Sequence, residues 1–277
     1  MNRVLWLINP FTFSMQDAYF AASFAKEGNY AINAVMLKEW QQPEIPLFST
    51  DPLFPSIPYM PAPQIESSDF SKKINEVVGI IHQVFQSTNI DVLVSSGVVD
   101  ADDGVVTESR FADMILVQPG LTFSSFDETT PSSYVLELLP RVQCPVLIAP
   151  QTITATKEII FTYNGGYSSL YAIRQFTYLF SYLKHLPVTV VYVEEGKNGL
   201  PHEQSLKVFL HSHYSSVHFK VLNGPADAVI VNELMHNNEA IVTFGAFGRN
   251  KISRFFRHST AEGFLKMINI PVFVTHP

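Results

Sequence analysis

The residues best suited to ligand chemistry lie near the C-terminus, where two glycines and a Ser-Thr pair follow an apolar stretch. Ala240–Phe244 precedes Gly245 and Gly248, and nine residues later the chain reads His258–Thr260, before the apolar run Ile270–Val274. This order predicts strand, glycine turn, basic loop, helix and strand. Backbone amides exposed by glycines and by a helix N-terminus bind phosphate, so the first hypothesis is a nucleotide site.

Several residues of this segment allow two interpretations. Ser259 and Thr260 begin a capping box with Glu262, which stabilises a helix by about 1 kcal/mol without a ligand, or they cap the helix and also contact phosphate. His258 brings a Cβ atom and an imidazole into the loop, so it either obstructs a triphosphate or contacts phosphate as a cation. Arg249 belongs to a basic group that either attracts phosphate or only solvates the loop; the other members are Lys251, Arg254 and Arg257.

Charge and hydropathy limit the classes of function. The 277 residues carry a formal net charge of -7, with a pI near 5.7, which repels polyanions and argues against nucleic-acid binding. The lone Cys144 lies in an apolar run and is expected to be a buried structural thiol. No stretch approaches the roughly 20 apolar residues of a membrane helix. We therefore expect a cytoplasmic protein without a membrane or nucleic-acid partner.

The chain aligns with itself as a tandem repeat. At an offset of 127 residues Val92–Val94 falls on Phe219–Val221, and Met114–Val117 falls on Ile241–Phe244. Near the ends of the two halves the register slips by one residue. The repeat predicts two similar domains, 1–153 and 154–277.

The first half contains an insertion. Val4–Asn9 matches Ile159–Asn164 at an offset of 155 residues, which leaves the first half about 28 residues longer than the second. The excess is visible at 41–63, where seven prolines remove backbone donors and exclude a regular helix or interior strand. We expect a long surface loop or an arm onto the other half.

Each half is predicted to alternate strands and helices. In the second half the expected strands are Glu158–Tyr163, Val188–Val193, Val217–Leu222, Ala240–Phe244 and Val272–Thr275, and the expected helices are Ser169–Leu183, His202–His211, Ala226–Met235 and Thr260–Met267. Several of these strands are continuously apolar, which indicates a parallel, doubly wound sheet with helices on both faces. Ligands of such sheets bind beyond the carboxyl ends of the strands.

The second half resembles a universal stress protein domain. That family's signature is Gly, two residues, Gly, nine residues, Gly, then Ser or Thr, followed by a helix and a Pro-Val strand. Gly245, Gly248 and Ser259 match it, His258 stands in place of the third glycine, and Ile270–Val272 closes the pattern.

The resemblance extends over most of the chain. Tyr163–Gly166 stands where the family has an Asp-Gly-Ser turn after its first strand, and Gly224–Ala226 resembles the Gly-x-Pro-Ala element after its third. In the first half Glu108–Asp113 and Cys144–Leu147 resemble the approach to strand four and strand five. The chain is identified as a tandem universal stress protein.

The resemblance implies two flavodoxin-like domains of the adenine nucleotide alpha hydrolase-like type, each a five-stranded parallel sheet of order 3-2-1-4-5 with helices on both faces. In one branch of the family these loops hold ATP, so the implied ligand is ATP or AMP. Matching positions assign Thr162, Tyr163 and Asn164 to the base, Val193 to base or ribose, and Phe244, Gly245 and Gly248 with Ser259 and Thr260 to ribose and phosphates, beside Arg249 and His258. Asn164 replaces an aspartate and so holds a divalent ion less strongly.

The first half has lost the signature. After Val117 it reads Gln118-Pro119-Gly120, with one glycine, and Asn9–Phe11 places bulk where a phosphate-side turn should be open. We expect this half to bind no nucleotide and to pack against the second, as an intramolecular version of the family's usual dimer. Whether the chain also forms a homodimer stays open.

Other sites have weaker patterns. The histidines His202, His211, His213 and His218 lack zinc-ligand spacing, and Asp100, Asp102 and Asp103 lack the later glutamate of a calcium loop, so no metal site is expected. No catalytic motif is present. Three functions stay open: a stress-response or regulatory protein that binds adenine nucleotide, an interaction module of the same fold without a ligand, and slow nucleotide hydrolysis.

Overall fold

The described part of the chain alternates strands and helices throughout. The structure is a computed structural model and describes residues 1–38, 67–95, 98–123, 130–150, 156–194, 199–235, 237–245 and 270–275. The strands are β1 (Asn2–Ile8), β2 (Tyr30–Lys38), β3 (Val92–Val94), β4 (Val99–Asp100), β5 (Met114–Val117), β6 (Val146–Ile148), β7 (Glu158–Tyr163), β8 (Val188–Glu194), β9 (Val217–Asn223), β10 (Ala240–Gly245) and β11 (Val272–Thr275). The helices are α1 (Met15–Gly28), α2 (Ser67–Thr88), α3 (Asp103–Ser109), α4 (Ser133–Leu138), α5 (Tyr167–Leu179), α6 (Glu203–His211) and α7 (Ala226–Met235), with a short 3-10 helix at Ser181–Leu183.

These strands form one mixed sheet in the order β3-β2-β1-β5-β6-β11-β10-β7-β8-β9, with β4 paired to β2 beside this path. Neighbouring strands are parallel except β6 and β11, which pair antiparallel with Phe273 opposite Leu147. The α/β class and the parallel pairing are confirmed. The two five-stranded sheets that the sequence predicts are continuous in the structure, because the antiparallel pair of β6 and β11 joins the strands of both halves into one sheet.

Helices cover both faces of the sheet, as the continuously apolar strands predict. In β7, Ile159 and Phe161 face a core that includes Ile173 of α5 and residues of α1, α2 and α6. Ile160 faces the opposite core, which includes Leu234 of α7 and residues of α3 and α4. Alternate residues of one strand therefore supply both cores.

Most predicted elements of the second half are confirmed within one or two residues. β7, β11 and α7 have the predicted bounds, and β8, β9 and β10 each extend one residue further. The helix predicted over Ser169–Leu183 begins earlier, at Tyr167, because Gly166 takes the N-cap position, and ends at Leu179, because Phe180 leaves helical geometry. The predicted helix Thr260–Met267 and the insertion at 41–63 lie outside the described residues.

Aromatic side chains join the halves on one face of the sheet. The Tyr30 hydroxyl of the first half donates to the carbonyl of Leu179 in the second at 2.8 Å, in a buried position. The ring of Phe24 lies 6.3 Å from that of Phe180, which stacks on Phe176 at 4.4 Å between ring centres. Pairs of this kind contribute about 0.5–1.5 kcal/mol each beyond the area they bury, so the two halves share one core.

Candidate functional site

The candidate site lies at the carboxyl ends of the second-half strands. β8 and β10 flank β7 on opposite sides and run parallel to it, with Tyr163 opposite Tyr192 and Thr243 opposite Phe161. This register brings Asn164, Glu194 and Gly245 to the same edge of the sheet. The chain passes from β7 to β8 on one side and later returns from β9 to β10 on the other side of β7. Such a reversal of strand order forms the crevice where doubly wound sheets bind ligands.

A turn closed by Asn164 connects β7 to α5. Its side-chain oxygen accepts a hydrogen bond from the backbone amide of Gly166 at 2.9 Å and lies 2.8 Å from the hydroxyl of Ser169. Gly165 has a φ of +79°, and a Cβ atom there would lie 2.7 Å from Pro201. The turn is thus held by its own residues, while the Asn164 side chain stays exposed at the edge of the crevice.

The first turn of α5 presents its amides without a charged cap. Gly166 at the N-cap provides no side-chain acceptor, and the first turn contains no acidic residue. The N-terminal end of a helix carries partial positive charge, which a nearby anion stabilises. This end of α5 lies beside the carboxyl end of β10, where Gly245 packs against Ser168.

Thr162 and Tyr163 use their hydroxyls within the fold. The buried Thr162 hydroxyl donates to the carbonyl of Thr243 at 2.6 Å, and the Tyr163 hydroxyl donates to the carbonyl of Pro201 at 3.1 Å. Burial raises the pKa of Tyr163, which keeps the hydroxyl protonated. These contacts fasten β7 to β10 and to the segment before α6.

Gly245 has a packing reason to be glycine. A Cβ atom at this position would lie 2.3 Å from the carbonyl oxygen of Ser168 and 2.5 Å from the amide nitrogen of Ser169. Only glycine lets the end of β10 approach the first turn of α5 so closely. Val193 and Phe244 are partly buried, and Phe244 packs against the core on the α7 face.

The structure therefore brings part of the predicted site together. Thr162, Tyr163, Asn164, Val193, Phe244 and Gly245 lie on three neighbouring strand ends. Five further predicted residues lie outside the described part of the chain: Gly248, Arg249, His258, Ser259 and Thr260.

The corresponding edge of the first half is closed by its own side chains. Asp17, with 3% of its surface exposed, accepts the backbone amide of Ser14 at 2.8 Å and a hydrogen bond from the side chain of Gln118. The amide of Asn9 donates to the carbonyl of Thr122 at 2.6 Å. Gln118 occupies the position that Gly245 has in the second half, and its side chain fills the space there.

Sequence reasoning predicted that this half lacks an open turn, but it missed the Asp17–Gln118 contact and one further feature. The Ser14–Asp17 spacing is that of a helix cap, so Asp17 could have been recognised, but its contact with Gln118 spans 101 residues of sequence. The buried hydroxyls of Thr243 and Thr275, near the same edge of the second half, have no hydrogen-bond partner among the described residues. Such groups are uncommon in folded proteins.

The other polar clusters have local roles. Asp100 accepts the backbone amides of Asp102 and Asp103 at 3.0 and 2.9 Å, and Arg141 pairs with both of the latter carboxylates. Within the described ranges no group of three or more His, Cys, Asp or Glu residues is placed to hold a metal ion. Cys144 is buried, as expected, and burial raises its pKa to about 12, so it stays a thiol.

Solved structures with this fold are universal stress proteins, among others. A universal stress protein from Archaeoglobus fulgidus DSM 4304 is 16% identical with a TM-score of 0.73, and the alignment covers 99% of this chain and 96% of that one. A putative universal stress protein from Pseudomonas aeruginosa UCBPP-PA14 is 12% identical with a TM-score of 0.57, over 100% and 94%. The cytoplasmic domain of a prokaryotic cation chloride cotransporter is 9% identical with a TM-score of 0.52, over 99% and 94%.

Sequence comparison adds no further assignment. No protein-family model and no curated protein matches the chain. Of the helices in the described ranges, none has the length and apolar character needed to cross a membrane. The structural likenesses, which extend over nearly the whole chain, show that it has the universal stress protein fold.

Proposed function

We propose that the chain is a tandem universal stress protein with a stress-response or regulatory role, and that its second half binds an adenine nucleotide, ATP or AMP. The strand order supports two units, since each half, counted from the outer edge, follows the order 3-2-1-4-5. The antiparallel pair of β6 and β11 supports an intramolecular pairing of the two units. The lone buried cysteine and the acidic composition fit a cytoplasmic location.

One observation supports the nucleotide proposal most: in the described ranges no side chain reaches across the second-half edge in the way that Gln118 reaches Asp17 in the first half. Gly245 stands where Gln118 reaches to Asp17, and α5 begins without the acidic residue that caps α1. A phosphate placed near Gly245 and the chain that follows it would lie beside the positive end of α5.

The described residues fit the base end of a nucleotide. The exposed Asn164 side chain can donate its NH2 group to a purine edge, since its oxygen already accepts from Gly166 and Ser169, and Val193 and Phe244 offer apolar surface at neighbouring strand ends. Thr162 and Tyr163 position the turn, because their hydroxyls already bond within the fold. Asn164 supplies no negative charge for magnesium.

Calorimetric titration with ATP, ADP and AMP, with and without magnesium, tests this proposal. We expect saturable binding with a dissociation constant at or below about 1 mM, which corresponds to a binding free energy of about -4 kcal/mol or stronger. Asn164→Ala should weaken binding, while Asn9→Ala, the matched turn residue of the first half, should leave it unchanged. Absence of heat with every nucleotide at that concentration would contradict the proposal.

The second candidate is an interaction module without a nucleotide. Two observations favour it: Gly245 is explained by its contact with α5 alone, and the cytoplasmic domain of a cation chloride cotransporter has the same fold. This candidate predicts no nucleotide binding and no effect of Asn164→Ala on any titration, so the same calorimetry separates the two functions.

A further inference from the structure

A groove of about 880 Å³ lies at the junction of the two halves, away from the strand ends described above. We call it the junction groove. Its floor includes Leu147 of β6, Ile241 of β10 and Pro271, and its walls come from α1 and from the 3-10 helix after α5. Ile241 and Pro271 belong to the amino ends of their strands, so the groove opens at the edge of the second half opposite the candidate crevice. Its size lies within the range of small-molecule sites.

The walls of the junction groove are mainly aromatic. Tyr19 and Phe20 line it from α1, with Tyr19 52% exposed, and Tyr182 lines it from the other half. The rings below them are packed and fixed: Phe24 lies 6.1 Å from Phe20, and Phe180 lies 6.2 Å from Tyr182. The faces of such rings carry partial negative charge and attract cations.

Among the described residues that line the groove, Glu27 is the one carboxylate, and the hydroxyl and amide side chains there can both donate and accept hydrogen bonds. Glu27 has no ion-pair partner among the described residues, and its one side-chain contact there is with Ser23 at 3.4 Å. Burial, and after it the negative charge of Glu27, raises the pKa of Tyr182, which lines the same groove. His185 Nδ1 lies 2.9 Å from the carbonyl of Tyr182; in the neutral ring it carries the proton, and Nε2 is then a further acceptor.

No described residue that lines the groove is a lysine or an arginine. A carboxylate without an ion pair among the described residues, together with aromatic faces, complements a positively charged donor and disfavours an anion. An apolar body would cover the exposed ring of Tyr19 and the partly buried ring of Phe20. We propose that the junction groove binds a small organic cation, a primary ammonium group on an aromatic or alkyl body, with Glu27 facing the ammonium. This site is independent of nucleotide binding in the second half.

Three probes of similar shape and different charge test the proposal: 2-phenylethylammonium, neutral 2-phenylethanol and anionic 3-phenylpropanoate. Each is titrated into the full chain, and binding is followed by ligand-observed NMR and calorimetry. We expect the cation to bind about fivefold more tightly than either analogue, the effect of about 1 kcal/mol for a partly exposed charge and ring contact. Equal binding of the three probes, or binding of none, would overturn the proposal.

Variants locate the site. Glu27 is exposed, so Glu27→Gln should fold normally and bind the cation about as weakly as the neutral probe. The control Glu76→Gln changes an exposed glutamate on α2 that pairs with Lys73, and it should leave binding unchanged. Cation binding that survives Glu27→Gln would refute the site. A dimer in sedimentation velocity that Tyr19→Glu abolishes would mean that a second copy covers the groove, which would also refute it.

Discussion

The carboxyl ends of the strands in the two halves share one turn but differ in the contacts beyond it. Asn9 and Asn164 each accept the amide two residues ahead, at 3.0 and 2.9 Å, so the turn after the first strand of each half is the same. Beyond it, the first half inserts Gln118 against Asp17, whereas the second half has Gly245 packed on the helix backbone. A shared turn therefore precedes an edge that side chains bond across in the first half, and an edge where a glycine lies against the helix backbone in the second half.

Two different physical reasons can require a glycine at position 245. Family resemblance explains Gly245 by the approach of a phosphate, and the structure explains it by the approach of α5. Both can hold, because a strand end that lies close to a helix N-terminus also brings a ligand at that strand end close to the helix amides. The predictions below test the two edges separately.

The largest effect is expected for Gly245→Ala. The new Cβ atom would lie 2.3 Å from the Ser168 carbonyl oxygen, and backbone cannot move aside as a side chain can, so we expect a loss of about 3 kcal/mol in the free energy of unfolding. Gly79→Ala is the matched control, since a Cβ atom there meets nothing within 4 Å and the position is inside α2. It should stabilise by about 0.5–1 kcal/mol. Urea unfolding measures both, and similar values would contradict the packing account.

Asp17→Ala should cost about 2 kcal/mol, because it leaves the Ser14 amide and the Gln118 side chain without their shared acceptor. The control Asp69→Ala removes a carboxylate from the first turn of α2 that is exposed and pairs with the exposed Lys72. It should change the free energy of unfolding by no more than about 0.5 kcal/mol. If both variants unfold at the same urea concentration, the Asp17 contacts at the first-half edge do not stabilise the fold.

Alanine at the two turn residues should also cost more stability in the first half than in the second. Asn9→Ala removes both the turn and the 2.6 Å bond to Thr122 in a buried position, at a cost of about 2 kcal/mol. Asn164→Ala removes the turn bond at an exposed position and the bond from Ser169, whose hydroxyl can still donate to the Gly166 carbonyl, at a cost of about 1 kcal/mol. Thermal unfolding of the pair measures the difference. A larger loss for Asn164→Ala would reverse the assignment of closed and open edges.

The smallest effect on stability is expected for His258→Gly. This variant tests the role of the loop between Gly248 and Ser259 in nucleotide binding. If the imidazole obstructs the phosphates, glycine should tighten ATP binding about three- to tenfold, which is about 0.7–1.4 kcal/mol. His202→Gly is the control, because His202 lies at the start of α6 with a φ of +55° that suits glycine. Weaker binding by His258→Gly would show that the histidine contacts phosphate instead.

Much of the fold follows from sequence because local signals agree. The apolar strands β7 and β8 and the helix between them have periodicities that need no knowledge of distant residues; the strand bounds were predicted within one residue, whereas α5 ends four residues before its predicted end. The joining of the sheets was not predicted, because β6 and β11 are apolar in either a separate or a continuous sheet. The pairing of Leu147 with Phe273 joins two segments that are far apart in sequence, and the composition of the strands does not determine such a pairing.

The site was predicted less completely for a similar reason. The glycines and Asn164 are visible as turn residues, whereas the engagement of the Thr162 hydroxyl by the Thr243 carbonyl depends on strand register. The Asp17–Gln118 contact likewise needs two segments far apart in sequence. The sequence did indicate an altered edge, through Gln118 at the position of Gly245 and through the bulk at Asn9–Phe11, but not the side-chain contact that joins it to α1.

Hydrogen exchange of backbone amides, with and without saturating ATP, tests the central claim most directly. We predict added protection in residues 162–169 and 242–245, at the second-half crevice, and unchanged exchange in residues 7–14 and 117–122 at the first-half edge. Protection confined to the first-half edge, or no change in either region at about 1 mM ATP, would contradict the account.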